Sequence, residues 1–163
     1  MQVIQMMEDI AKFINYKALH DLDIWEKVDC SVVLNPDILA SGILYWKAEQ
    51  KKFVIHVNPL YLRYVKDLVF VVAHETRHIY QMIHYPEQVS KYAPILNDLP
   101  FIEYIQTPVE QDANRYARDC IKDNRFRMSL DEHIDTHFYL LFQSALEVHY
   151  KDVENLTYNP SYL

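Results

Sequence analysis

A single glycine, Gly42, serves the whole of this 163-residue chain. Turns that need a left-handed backbone must then be made by Asn or Asp, or avoided, and long helices are favoured. Only two cysteines are present, Cys30 and Cys120, and they lack C-x-x-C spacing. That excludes a disulfide framework, leaves both unassigned to any metal, and suits reduced core thiols in a cytoplasmic protein. No run of about 18 apolar residues occurs, so nothing reads as a membrane span. The first residues set Glu8 and Asp9 inside an apolar pattern, without the basic start and apolar block of a secretory signal. Basic residues are also in deficit: 16 Lys and Arg stand against 23 Asp and Glu, a formal net charge of −7. The charge thus argues against a phosphate backbone, hence nucleic acid, as a partner, and a protein or peptide, preferably basic, suits the chain better.

What is present is a globular composition, 50 % hydrophobic with 13 tyrosines, enough for one domain over residues 1–163. Val3, Ile4, Met7, Ile10, Ala11 and Ile14 recur at helical spacing and predict a first helix to about residue 20. Ser31–Leu34 reads as a short strand closed by Asn35-Pro36-Asp37. Ile43–Trp46 and Phe53–Val57 flank a polar bend and read as a hairpin. Asn58-Pro59 opens a helical pattern that runs to about Met82, either unbroken or interrupted near Asp67. Pro86 ends it, and four prolines between 86 and 108 predict an irregular stretch with short helical turns. Thr107-Pro108 opens another helix, with Ala113, Tyr116, Ala117, Cys120 and Ile121 on one side. Ser129–Glu132 has the form of a capping box before a last helix with Ile134, Phe138, Leu141, Phe142, Ala145 and Leu146 inward. The tail from Thr157 reads as peripheral.

The chemistry is concentrated at His74-Glu75-Thr76-Arg77-His78, after the apolar run Leu68–Ala73. On a helix His74 and His78 share one face, so two imidazoles can grip one ion, and Glu75 stands beside them as a base for water. A helix apolar on nearly every side is buried, and burying two histidines and a glutamate is costly unless they are paired or bind metal. Zinc accepts such nitrogens, and a catalytic site needs a third protein ligand and an open position. The plainer alternative is a satisfied histidine pair.

Several residues compete as third ligand. His84 completes H-E-x-x-H-x-x-Q-x-x-H, but Gln81 stands where the metzincin spacing has the glycine that lets the chain turn back. Glu110, on the helix after Thr107, would make a His₂Glu site, with Asn114 one turn on to orient a histidine. Glu110 also satisfies a capping box with Thr107, its local alternative. We favour Glu110, with Asp112 and Glu103 as fallbacks. For an oxyanion donor the sequence offers His133, its neighbour His137, Tyr104, Tyr80 and Arg77, with His133 and Tyr104 taken forward beside Glu75.

The pair AHETRH and, some thirty residues later, EQDANRYA resembles the ImmA/IrrE-type zinc metallopeptidases, whose pattern is H-E-x-x-H followed by an E-x-[ED]-A-[ND]-x-[FY]-A helix. The likeness rests on about sixteen residues of the two motifs and on the strand-rich layout before the first. It implies zinc held by His74, His78 and Glu110, Glu75 as general base, Asn114 in support, and intracellular proteolysis, often of phage or mobile-element repressors. Thr76-Arg77 departs from the family's small or apolar pair, and no helix-turn-helix region is recognisable.

The expected fold is α+β: a minimal zincin-like domain, a small twisted sheet packed on a buried motif helix, with further helices C-terminal. Either Phe53–Val57 or Ile43–Trp46 would be the edge strand beside the cleft. The expected function is zinc-dependent hydrolysis of peptide bonds in a cytoplasmic protein substrate. Two rivals are a catalytically silent interaction protein stabilised by zinc and a metal-free helical binding module.

Overall fold

The computed structural model describes residues 2–62, 64–92 and 100–123. Ten elements follow in order, with a helix first because Gln2–Asp21 carries apolar residues at helical spacing. This is α1, and it buries Met7, Ile10, Ala11, Ile14 and Ala18. Strands β1 (Asp29–Leu34), β2 (Gly42–Lys47) and β3 (Lys52–Val57) make one sheet in the order β1-β3-β2. β2 and β3 form the expected antiparallel hairpin, joined by a short 3₁₀ turn, while β1 runs parallel to β3. Phe53–Val57 is therefore the central strand and not an edge. The alternation of β-branched residues in β3 could not reveal this, because the β1 partner is supplied by a crossover. Ile43–Trp46 lies on the edge.

Among the described residues the left-handed positions are Asp23 and Lys51, with φ of 55° and 49°. Lysine thus takes one of the places expected of Asn or Asp. Gly42, by contrast, has no positive φ; it is needed for close approach, as shown below.

Asn58 caps only the 3₁₀ turn Pro59–Tyr61, accepting the Leu60 N–H at 2.9 Å. Its amide also donates to the carbonyls of Pro36 and Ile38, which ties the loop after β1 to the end of β3. The motif helix α2 spans Val65–His84, so the helical pattern is interrupted, as expected near Asp67, ahead of Val65. Asp67 sits in the first turn of α2 and accepts the Tyr64 N–H at 2.9 Å, a local cap that explains the start. α2 ends where Tyr85 precedes Pro86, and Pro86 itself begins the short helix α3 (Pro86–Tyr92). After α4 (Phe101–Tyr104), Thr107 caps α5 (Pro108–Lys122) with Pro108 at its first position.

α2 is the centre of the packing: α1, α5 and the sheet all lie against it. One cluster joins Ile14 and Ile24 to Val32, Ile55 and Val57 of the sheet and to Leu68, Val72 and Ile79 of α2. The architecture is mixed α+β, five helices and a three-stranded sheet among the described residues. No helix among them is long and apolar enough to cross a membrane. The expected last helix, with its Ser129–Glu132 start, and the tail from Thr157 lie outside the described residues.

Candidate metal centre

Successive residues of a helix are rotated by about 100°, so three in a row face three ways. In α2 each of these directions has a different neighbour. Thr76 is fully buried toward α1, with its hydroxyl 2.9 Å from Asn15 Oδ1 and 2.7 Å from the Val72 carbonyl. Glu75 turns toward β2, where the Leu44 backbone N–H donates to it and Gly42 lies against it. His74 belongs to a stripe with Arg77, His78 and Gln81 that faces α5. Arg77 pairs with Asp112 at 2.8 Å and 3.3 Å, and Gln81 reaches the same carboxylate and the Val109 carbonyl.

His74, His78 and Glu110 converge from α2 and α5, with side chains only 12, 13 and 5 % exposed. His74 Nε2 is 3.2 Å from Glu110 Oε2, His78 Nε2 is 3.2 Å from Glu110 Oε1, and the two Nε2 atoms are 3.0 Å apart. A tetrahedral ion with bonds near 2.05 Å needs ligand atoms about 3.3 Å apart. The triangle already has nearly that size, and the three residues form a group that could hold a metal ion. Their types, two imidazoles and one carboxylate, suit zinc.

The local alternative for Glu110 is resolved by dividing the residue. Its backbone N–H serves the helix start, donating to Thr107 Oγ1 at 3.4 Å, while its carboxylate leaves the cap and turns to the histidines. Tyr104 meets it there, donating its hydroxyl to Glu110 Oε1 at 2.7 Å. Burial alone would raise the Glu110 carboxyl, but hydrogen bonds and charge from His74 and His78 hold it well below the usual carboxylate range. Burial would lower His78, yet Glu110, with help from Glu75 and Gln81, raises it to about 9. Glu75 is raised, chiefly by burial and also by the like charge of Glu110, against the pull of both histidines and the Leu44 N–H. A raised carboxyl in a closed site is the condition of a general base working near neutrality.

The remaining candidates fall elsewhere. His84 is exposed at the end of α2, its ring 4.3 Å from that of Tyr80, because the helix continues through Gln81 and carries it away from the pair. Asp112 is taken by Arg77, Gln81 and Arg115. Glu103 is exposed. Tyr80 lies under the Arg77 guanidinium, 4.3 Å from its ring centre. Asn114 makes no hydrogen bond to either imidazole: Gln81 Oε1 stands 2.8 Å from His78 Nδ1, and His74 Nδ1 is buried without a partner among the described residues. Asn114 is one turn on from Glu110 and so on nearly the same face of α5, but it is only half-buried there, whereas Gln81 is on the same stripe of α2 as His78 and meets its ring from within that helix. His133 and His137 lie outside the described residues. Both cysteines are free, and burial raises Cys30 to about 12 and Cys120 to about 11, so neither is a reactive thiolate.

Sequence reasoning missed three contributors. Gln81 figured only as a missing glycine, although its i+3 spacing from His78 was a readable signal. Gly42 and Leu44 had none, since only the fold brings β2 to Glu75. Comparison with protein-family models, curated proteins and solved structures finds no match for this chain.

Proposed function

We infer that the chain is a zinc-dependent peptidase of the minimal gluzincin kind, similar to the ImmA/IrrE-type enzymes, acting on a protein substrate in the cytoplasm. The observation that carries the reading is the convergence of His74, His78 and Glu110 at near-tetrahedral spacing with a buried, raised Glu75 next to it. His74, His78 and Glu110 would hold the ion. Bound there, zinc polarises a carbonyl and makes water a better nucleophile at neutral pH. Glu75 takes the proton of the attacking water and passes it to the leaving amine. The Leu44 N–H keeps its carboxylate aimed, and Gly42 leaves the space for it. Tyr104, already at Glu110, supplies the hydroxyl for the carbonyl oxygen in the tetrahedral state. β2, as an edge strand beside Glu75, suits an extended peptide adding alongside it.

The test separates binding from turnover. Zinc content and cleavage of a quenched-fluorescent peptide library are measured for the parent, Glu75→Gln, Glu110→Ala and His84→Ala. Glu110→Ala should lower zinc occupancy and His84→Ala should not. Glu75→Gln should keep the zinc and lose cleavage. A parent that binds zinc but matches Glu75→Gln in cleavage and in its cellular effect would instead be a silent zinc-stabilised interaction protein.

A further inference from the structure

Gln81, which stands where a returning metal helix would need glycine, is buried at 4 % exposure between α2 and α5. Its amide nitrogen lies 2.9 Å from the Val109 carbonyl oxygen and 2.9 Å from Asp112 Oδ2. Neither atom has a proton to give: one is a carbonyl, and the other belongs to a carboxylate paired with Arg77 and Arg115. An amide turned through 180° would set its own oxygen against these two oxygens. The nitrogen must therefore face α5, and Oε1 must face His78.

That orientation decides a proton. Oε1 is 2.8 Å from His78 Nδ1, and an amide oxygen only accepts. Nδ1 must carry hydrogen and donate it. In neutral imidazole the lone pair then sits on Nε2, the atom directed at His74 and Glu110. This is the tautomer a metal ligand requires. The other imidazole has no such support among the described residues, where His74 Nδ1 is buried without a hydrogen-bond partner.

We propose that Gln81 is a positioning residue of the metal centre, which locks His78 in its ligand tautomer and ring plane and is itself locked by Val109 and Asp112 of α5. The proposal rests on the metal-binding half of the reading above and not on peptide hydrolysis. His78 is the pre-set ligand of the pair, and the packing of α5 on α2 reaches the metal through one amide.

The experiment compares zinc affinity, by competition with a chromophoric chelator, for the parent, Gln81→Met and a double variant combining Gln81→Glu with Asp112→Asn. Methionine fills the space but accepts nothing useful from Nδ1, so affinity should fall about 10- to 100-fold. In the double variant a carboxylate accepts from Nδ1 and from the asparagine amide introduced on α5, while the Val109 carbonyl loses its donor, so affinity should recover in part and exceed that of Gln81→Met. A role in packing alone gives the reverse order, with methionine tolerated and the buried carboxylate harmful. Histidine ¹⁵N spectra of the zinc-loaded parent add a readout that needs no variant: His78 should be bound through Nε2 with a slowly exchanging Nδ1–H. Binding through Nδ1, or equal affinity for Gln81→Met and the parent, overturns the proposal while leaving the metal site standing. A parent that takes up no zinc overturns both, and one that binds zinc without cleaving peptides overturns only the peptidase reading.

Discussion

Replacing the one glycine with alanine isolates the contact between β2 and the motif helix. Because Gly42 has no positive φ, alanine suits the backbone and the cost is steric. A Cβ there would stand 2.5 Å from Val71 Cγ1, 2.9 Å from Glu75 Oε1 and 3.2 Å from Glu75 Cγ. Carbon atoms rest at about 3.5–4.0 Å, so Val71 and the strand must part by roughly 1 Å. Overpacking of this kind costs about 1–3 kcal/mol, which for a chain of this size lowers Tm by about 2–12 °C. Glu75 is displaced from the Leu44 N–H in the same movement. A misplacement near 1 Å in a catalytic group can cost about 100-fold in rate. The ligands face α5, away from Gly42, so zinc affinity should change little.

Thermal unfolding, zinc titration and peptide cleavage of Gly42→Ala read the three consequences separately. Adding Val71→Ala removes Cγ1, so the double variant should be less destabilised than the sum of the singles, by about 0.5–3 kcal/mol of coupling. A Gly42→Ala protein with the parent's Tm and cleavage rate, or additive singles, would refute the close-approach argument.

Two further outcomes follow from the titrating groups. His78 is raised from 6.5 to about 9 in the metal-free protein, so its stabilisation is full below 6.5 and is lost as pH rises through about 9. Zinc must displace the same proton, so apparent zinc affinity should climb about tenfold per pH unit from neutrality toward that value; chelator competition across pH 6–10 checks this, and a flat profile contradicts it. Asp112→Ala removes the carboxylate of Arg77 and one of the two acceptors of the Gln81 amide, and should cost about 1–3 kcal/mol in denaturant unfolding at neutral pH. Asp112 is lowered from 3.8 to about 2: burial raises it, and Arg77, Gln81 and Arg115 more than offset this. Its stabilisation is thus present above 3.8 and lost as pH falls toward 2, and the gap between parent and variant should close in acid.

Much of the site was legible because its signals are local. His74, Glu75 and His78 are set by helical periodicity, and Glu110 could be named because Glu110, Asp112 and Asn114 crowd polar groups at a helix start that otherwise faces apolar residues. The hairpin, α1 and the start of α5 were readable for the same reason. Asn114 misled because the one-turn spacing that puts it on the face of Glu110 does not fix whether its amide reaches an imidazole, and Gln81 already meets His78 from within α2. The central place of β3 was hidden too, since pairing with β1 is a long-range event.

By itself, then, the sequence determined the elements and the chemistry of their faces: a buried helix with two imidazoles and a carboxylate, and a second helix with an acid at its start. Those properties depend on residues within a turn or two of one another. Only the tertiary structure decided which faces meet. It brings the Glu110 carboxylate to 3.2 Å from both histidines, lays Gly42 against Glu75, and makes Gln81 the link from α5 to His78. Each of these is a contact between elements far apart in the chain, chosen by burial of the common core around α2 and not by any local preference.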